Sequence, residues 1–206
     1  MPEISHGLDP FYPIVPDFQW LMRIVPLGVR TVQLRLKDAS LEEVSSQIAD
    51  SLALTRRYGC QLIVNDYWQA AIDEGARYIH LGQEDLAAAD LPAIKKAGMR
   101  LGISTHSEEE LETALAAEPD YVALGPIYET KLKEMKWAPQ GLERIGQWRR
   151  RIGSLPLVAI GGITPERASP VIAAGATSVA VITDFFTHPS PENRVRTWVA
   201  WSRPTF

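Results

Sequence analysis

Short apolar runs alternate with longer amphipathic segments from one end of this chain to the other, and this alternation restricts its fold more than any other feature. The runs at residues 12–15, 30–35, 60–64, 77–80, 100–103, 121–124, 157–160 and 177–182 read as strands. Between them, residues 18–26, 41–58, 67–74, 91–96, 108–117, 142–151, 165–174 and the region near 195–201 read as helices. The segment 41–58 carries Val44, Ile48, Leu52 and Leu54 close to helical spacing, and Gly75 and Gly98 stand where helices should stop. Strands that alternate with helices require a parallel sheet, because each crossover helix covers a sheet face. Eight such units in 206 residues point to an α/β fold of one closed (β/α)8 TIM barrel, not an open doubly wound sheet.

The pattern leaves no room for a linker, so one domain is expected over residues 1–206, with residues 1–10 a polar N-terminal extension. The longest irregular stretch, residues 125–140, falls inside the pattern and reads as a substrate loop or lid. With 21 basic and 25 acidic residues and no long block of either sign, the chain lacks a nucleic-acid groove or a polybasic membrane surface. No apolar run would cross a bilayer, and residues 1–10 lack the order of an export signal, so a cytoplasmic protein is expected. Cys60 is the only cysteine and reads as a small buried filler; Trp148, Trp198 and Trp201 read as helix-face packing. Nothing in the residues specifies oligomeric state, and a homo-oligomer is left open.

In such a barrel, chemistry concentrates where strands end and their loops begin. Residues 32–37 alternate so that Gln33, Arg35 and Lys37 project together while Leu34 and Leu36 point the other way. A guanidinium fork, an ammonium and an amide on one face suit a diphosphate; a polar face meeting solvent or carboxylates is the other reading. The next strands run into Asn65 and Asp66, into His80, Gln83, Glu84 and Asp85, and into Ser104, Thr105 and His106. Asp66 could cap a helix beginning at Tyr67, and Asp85 could open a helical turn. Together they could instead converge on one Mg²⁺, which takes few carboxylates plus water and phosphate oxygens. His80 and His106 lack a third ligand at a recognisable spacing and read as hydrogen-bonded wall residues. Ile160-Gly-Gly-Ile163 reads as a phosphate cradle or as a tight turn, and Ile182-Thr183 ends the neighbouring strand. Between residues 125 and 140, Thr130, Lys131, Lys133 and Lys136 form either a solvated run or a basic arm that closes over an anion.

Seven segments, Gln33-Leu-Arg-Leu-Lys37, Val64-Asn-Asp66, His80-Leu-Gly-Gln-Glu-Asp85, Gly102-Ile-Ser-Thr-His106, Gly125-Pro-Ile-Tyr-Glu-Thr130, Ala138-Pro-Gln-Gly-Leu142 and Ala159-Ile-Gly-Gly-Ile163, resemble those of thiamine phosphate synthase in the same order. The resemblance runs from about residue 12 to residue 186. It implies a (β/α)8 transferase that joins hydroxymethylpyrimidine diphosphate to a thiazole phosphate with Mg²⁺, releasing diphosphate. By position, the segment Gln33, Leu34, Arg35, Leu36, Lys37 and then Asn65 would hold the pyrimidine diphosphate, and Asp66 and Asp85 the Mg²⁺. Ser104 would contact the pyrimidine and Lys133 its diphosphate. Thr130, Lys131, Leu132, Gly162, Ile182 and Thr183 would hold the thiazole phosphate. Leu132 stands where the family often has a second threonine, which removes a hydroxyl donor.

The family's chemistry implies dissociative displacement, with Arg35, Lys37, Lys133 and Ser104 as the residues serving it. The alternatives are a thiazole tautomerase of similar shape, which would need a proton shuttle from His80 or His106, and a non-catalytic barrel that binds a thiamine precursor.

Overall fold

Helix α2 (Leu41–Tyr58) shows how local signals set the elements. Ser40 and Glu43 form a reciprocal capping box at its start, and Gly59 ends it in the left-handed conformation. Val44, Ile48 and Leu52 are buried along one face. Its bounds match those expected from periodicity.

The computed structural model describes residues 7–130 and 137–203. Its strands are β1 (Phe11–Val15), β2 (Thr31–Leu34), β3 (Gln61–Asn65), β4 (Tyr78–Leu81), β5 (Arg100–Thr105), β6 (Tyr121–Leu124), β7 (Leu157–Ile160) and β8 (Ser178–Val181). All neighbours are parallel, and β1 pairs with β8 through Phe11 opposite Val179, so the sheet closes into an eight-stranded barrel. Around it lie α1 (Phe18–Ile24), α2, α3 (Trp68–Asp73), α4 (Gln83–Ala88), α5 (Leu91–Lys96), α6 (Glu108–Ala116), α7 (Gly141–Ile152), α8 (Pro165–Ala173), α9 (Thr183–Phe186) and α10 (Pro191–Ser202). The expected (β/α)8 barrel is the observed fold. The alternation alone does not predict α4 and α9 as separate elements; α4 carries the helical turn that Asp85 could open.

Alternation along the strands splits the apolar residues into two clusters. Leu34, Val64, Ile79, Ile103, Val179 and the fully buried Trp148 and Trp198 belong to the larger. Tyr12, Ile14, Ile63, Tyr78, Tyr121, Val158 and Ala180 form the smaller one, which fills the barrel interior. Asp9 and Pro10 are bonded into the barrel floor: the Asp9 carbonyl accepts from Ser178, and the Pro10 carbonyl from Val179. Among the described residues no helix is long and apolar enough to cross a membrane.

Candidate active site

Strand β2 stops at Leu34, short of the expected Arg35, because its neighbour β1 stops at Val15, which lies opposite Leu34. The Arg35 amide still donates to the Val15 carbonyl at 2.8 Å, and the chain then leaves the sheet. The alternation predicted through Lys37 therefore holds only in part. Gln33 is buried inside the barrel, Arg35 is half-buried at the mouth, and Lys37 is exposed beside Asp38, whose φ is 55°. Leu34 and Leu36 are buried in the larger apolar cluster.

On the next strand end Asp66 has a φ of 64°, a conformation that aspartate tolerates better than most residues. Its amide extends the sheet ladder to the His80 carbonyl at 3.0 Å. Helix α3 begins at Trp68 with Tyr67 at the cap position and no side-chain cap bond, so Asp66 does not cap a helix beginning at Tyr67. Its carboxylate instead accepts from the Asn65 amide and meets Asp85, which lies in the first turn of α4. Burial, and next the Asp85 charge, push the Asp66 carboxyl up to about 6; Arg35 and Asn65 pull it the other way. Two carboxylates on adjacent strand ends thus share one spot beside a guanidinium.

A hydrogen-bonded chain crosses the barrel interior beneath this pair. The Gln33 amide donates to the Tyr12 hydroxyl at 2.7 Å, which lies 3.0 Å from the Tyr121 hydroxyl. The Tyr121 hydroxyl lies 2.9 Å from His80 Nδ1, and His80 Nε2 lies 2.8 Å from Ser104 Oγ. Burial, then the Arg35 charge, pull the His80 imidazole down to about 4, so it is neutral near pH 7. Burial raises both tyrosines above the ordinary phenol range. Gln83 braces the same wall by donating to the Ser104 carbonyl at 2.7 Å. His106 is paired with Glu110 at 2.8 Å, outside this chain of bonds. Tyr12 and Tyr121 are the residues that sequence reasoning missed. Gly102 carried the signal: a Cβ there would run into the Tyr121 ring.

The opposite side of the mouth is built from backbone. The Tyr128 amide donates to the Gly161 carbonyl at 3.0 Å, and the Ile127 amide to the Ile160 carbonyl at 2.9 Å. Gly161 and Gly162 have φ of 104° and 64°, and a Cβ on Gly162 would press on Tyr128 Cβ at 2.8 Å. Close approach of the β6 loop therefore accounts for both glycines, whatever ligand they also serve. Ile182 and Thr183 follow β8, with Thr183 opening α9. Thr130 is half-buried at the end of a described segment. Lys131, Leu132, Lys133 and Lys136 lie outside the described residues, as does most of the expected basic arm.

Gln33, Arg35, Asn65, Asp66, Asp85 and Ser104 are thus gathered on the arc from β2 to β5, and Gly162, Ile182 and Thr183 on the ends of the adjacent β7 and β8. Among the described residues no group of three or more His, Cys, Asp or Glu side chains gathers as a metal cage. A cation on the Asp66–Asp85 pair would take its other oxygens from water and a ligand, the arrangement Mg²⁺ favours.

The family profile described as thiamine monophosphate synthase matches residues 12–185. The chain is 60% identical over 197 residues to a thiamine-phosphate synthase of Rhizobium etli, covering 96% of this chain and 97% of that protein. It is 52% identical over 171 residues to a thiamine-phosphate synthase of Citrobacter koseri, covering 83% and 81% of the two chains. In fold it is similar to a thiamine phosphate pyrophosphorylase of Pyrococcus furiosus, with a TM-score of 0.82 and 24% identity over 94% of this chain and 95% of that one.

Proposed function

This chain belongs to the thiamine monophosphate synthase family, transferases of thiamine biosynthesis, and on that footing we propose the reaction and the roles of its residues. The reaction joins hydroxymethylpyrimidine diphosphate to a thiazole phosphate, giving thiamine phosphate and diphosphate. One observation supports this most: the Asp66–Asp85 pair beside Arg35, set above the hydrogen-bonded chain from Gln33 to Ser104.

The bond from the pyrimidine methylene to the diphosphate oxygen breaks first, and its electron pair leaves with the diphosphate. The resulting pyrimidine-methyl cation is stabilised by the ring's amino group, and the thiazole nitrogen then donates its lone pair to it. Arg35, Lys37 and Lys133 meet the charge of the departing group, and Asn65 adds a donor. Mg²⁺ on Asp66 and Asp85 supplies further charge neutralisation when bound. Gln33 and Ser104 orient the pyrimidine, and their own rotamers are held by Tyr12 and His80. Thr130, Lys131, Leu132, Gly162, Ile182 and Thr183 hold the thiazole phosphate. No step needs a strong base, and a neutral His80 bonded through both nitrogens is in keeping with that.

The test is diphosphate release from a mixture of both substrates. Thiamine phosphate and diphosphate should appear in equal amounts, stop on adding a chelator and resume with Mg²⁺. Binding without diphosphate release would overturn the proposal and favour a precursor-binding barrel. Isomerisation of a thiazole carboxylate phosphate, indifferent to the chelator, would favour the tautomerase.

A further inference from the structure

Arg194 stands on α10, outside the barrel mouth, and no step of the proposed chemistry uses it. Its guanidinium nevertheless holds the bases of two mouth loops together. Nε and Nη2 donate to the two carboxylate oxygens of Asp184 at 2.7 and 2.8 Å. Nη1 and Nη2 donate to the two oxygens of Glu166, each at 3.1 Å. Asp184 follows Thr183 at the start of α9, and Glu166 lies in the first turn of α8, beyond Gly162. Asp184 also accepts from the indole of the buried Trp198 at 2.8 Å, so its carboxylate is fixed from two directions. The Arg194 and Asp184 side chains are only 16% and 11% exposed, whereas Glu166 is 67% exposed. A planar fork that engages two carboxylates sets both the distance and the angle between them, which a single ammonium cannot do.

We infer that Arg194 is a positioning residue for the phosphate half of the site. By tying the start of α9 to the first turn of α8, it sets the spacing between the Thr183 hydroxyl and the Gly162 backbone. The inference rests on the proposed placement of the thiazole phosphate between those loops. Arg194 acts through the loops and does not touch the substrate.

Steady-state kinetics on each substrate separately tests this, using Arg194→Ala, Arg194→Lys, Glu166→Gln and Thr183→Val. Arg194→Ala should raise KM for the thiazole phosphate about tenfold or more, with kcat and KM for the pyrimidine diphosphate held within about twofold. Arg194→Lys should recover part of the loss. Glu166→Gln, which weakens only the exposed arm, should move the same KM by a smaller factor. Thr183→Val reports on the phosphate placement itself: an unchanged KM there would remove the placement and the clamp with it. A raised KM in Thr183→Val beside an unchanged one in Arg194→Ala would overturn the clamp alone. Equal damage to both KM values and kcat in Arg194→Ala means general loosening, and overturns it too. If Arg194→Ala does not fold, Arg194→Lys and Glu166→Gln decide, and an unchanged thiazole KM in both overturns the inference.

Discussion

The two sides of the barrel mouth face charge by opposite means. From β2 to β5, ionisable side chains point at the site, and the cost is visible in them: Asp66 is held above its ordinary range and His80 below it. From β6 to β8, among the described residues, the site is lined by glycine backbone, and Arg194, Asp184 and Glu166 stand behind the loops. These buttressing charges are fully paired, and Arg194 holds the Glu166 carboxyl down at about 2. Poorly compensated groups facing a cavity mark where a ligand's charge must complete the balance, whereas satisfied ones mark structure. Under the proposed reaction, the first side would meet the group that leaves and the second would grip the group that stays.

The largest effect expected from this contrast is on the carboxylate pair. Asp66→Asn or Asp85→Asn should lower turnover about 10²- to 10³-fold, the scale of lost electrostatic stabilisation of a charged transition state. Asparagine also tolerates the φ of 64° at position 66, so the backbone should survive. Thermal unfolding of the metal-free protein should show no loss of stability in Asp66→Asn, because an ionised carboxylate there is disfavoured. Added Mg²⁺ should raise the melting temperature of the unsubstituted chain and not of the variant. A variant that melts well below the unsubstituted chain without metal would make the pair structural and end the contrast.

The same arc should give an acid-side signature of about 3 kcal/mol from His80, whose folded value of about 4 lies below the 6.5 of a free imidazole. Burial favours the neutral ring in the folded state, so the unfolded chain binds the extra proton. Stability is therefore fully present above about pH 6.5 and is lost as pH falls towards 4. Asp66 works the other way, since its raised carboxyl costs metal-free stability as pH rises from about 4 to 6. Urea titrations between pH 5 and 7 separate the two. His80→Asn should turn the shallow rise with pH into a fall, and Asp66→Asn should steepen the rise. A His80→Asn profile parallel to that of the unsubstituted chain would show that the ring is not held neutral.

Much of the frame was legible because its signals are local. Residues 41–58, 91–96, 121–124 and 157–160 form the elements expected of them, bound by periodicity and helix stops. The convergence of Asp66 and Asp85 followed from placing strand ends on one rim. What could not be read depends on where neighbouring strands stop or on distant partners. Arg35 left the sheet because β1 ended, and no glycine stop follows α4 or α9 as Gly98 follows α5. Tyr12 and Tyr121 meet across 109 positions, and Arg194 reaches Glu166 across 28, with nothing in their local sequence to announce either. Glycine was the exception, since its presence at 102 and 162 recorded close approaches whose partners only the fold supplied.

Those two glycines give the smallest and sharpest form of the comparison. Gly102→Ala would drive a Cβ into the Tyr121 ring, and Gly162→Ala would place one against the Glu129 carbonyl and Tyr128 Cβ at a φ of 64°. Each should cost about 1–3 kcal/mol, read as a shifted urea midpoint at constant slope. The obstacle at 102 is a side chain and can be removed: Tyr121→Leu should recover about 1 kcal/mol or more of the Gly102→Ala loss in a double-mutant cycle. At 162 the obstacle is backbone and a Cβ that alanine keeps, so Tyr128→Ala should recover nothing. Equal recovery at both positions would mean that the β6–β8 side is also held by side chains. No recovery at 102 would mean that the Tyr121 ring does not set the limit there. With relief at 102 and none at 162, the two sides differ in the stiffness of their construction as well as in their charge.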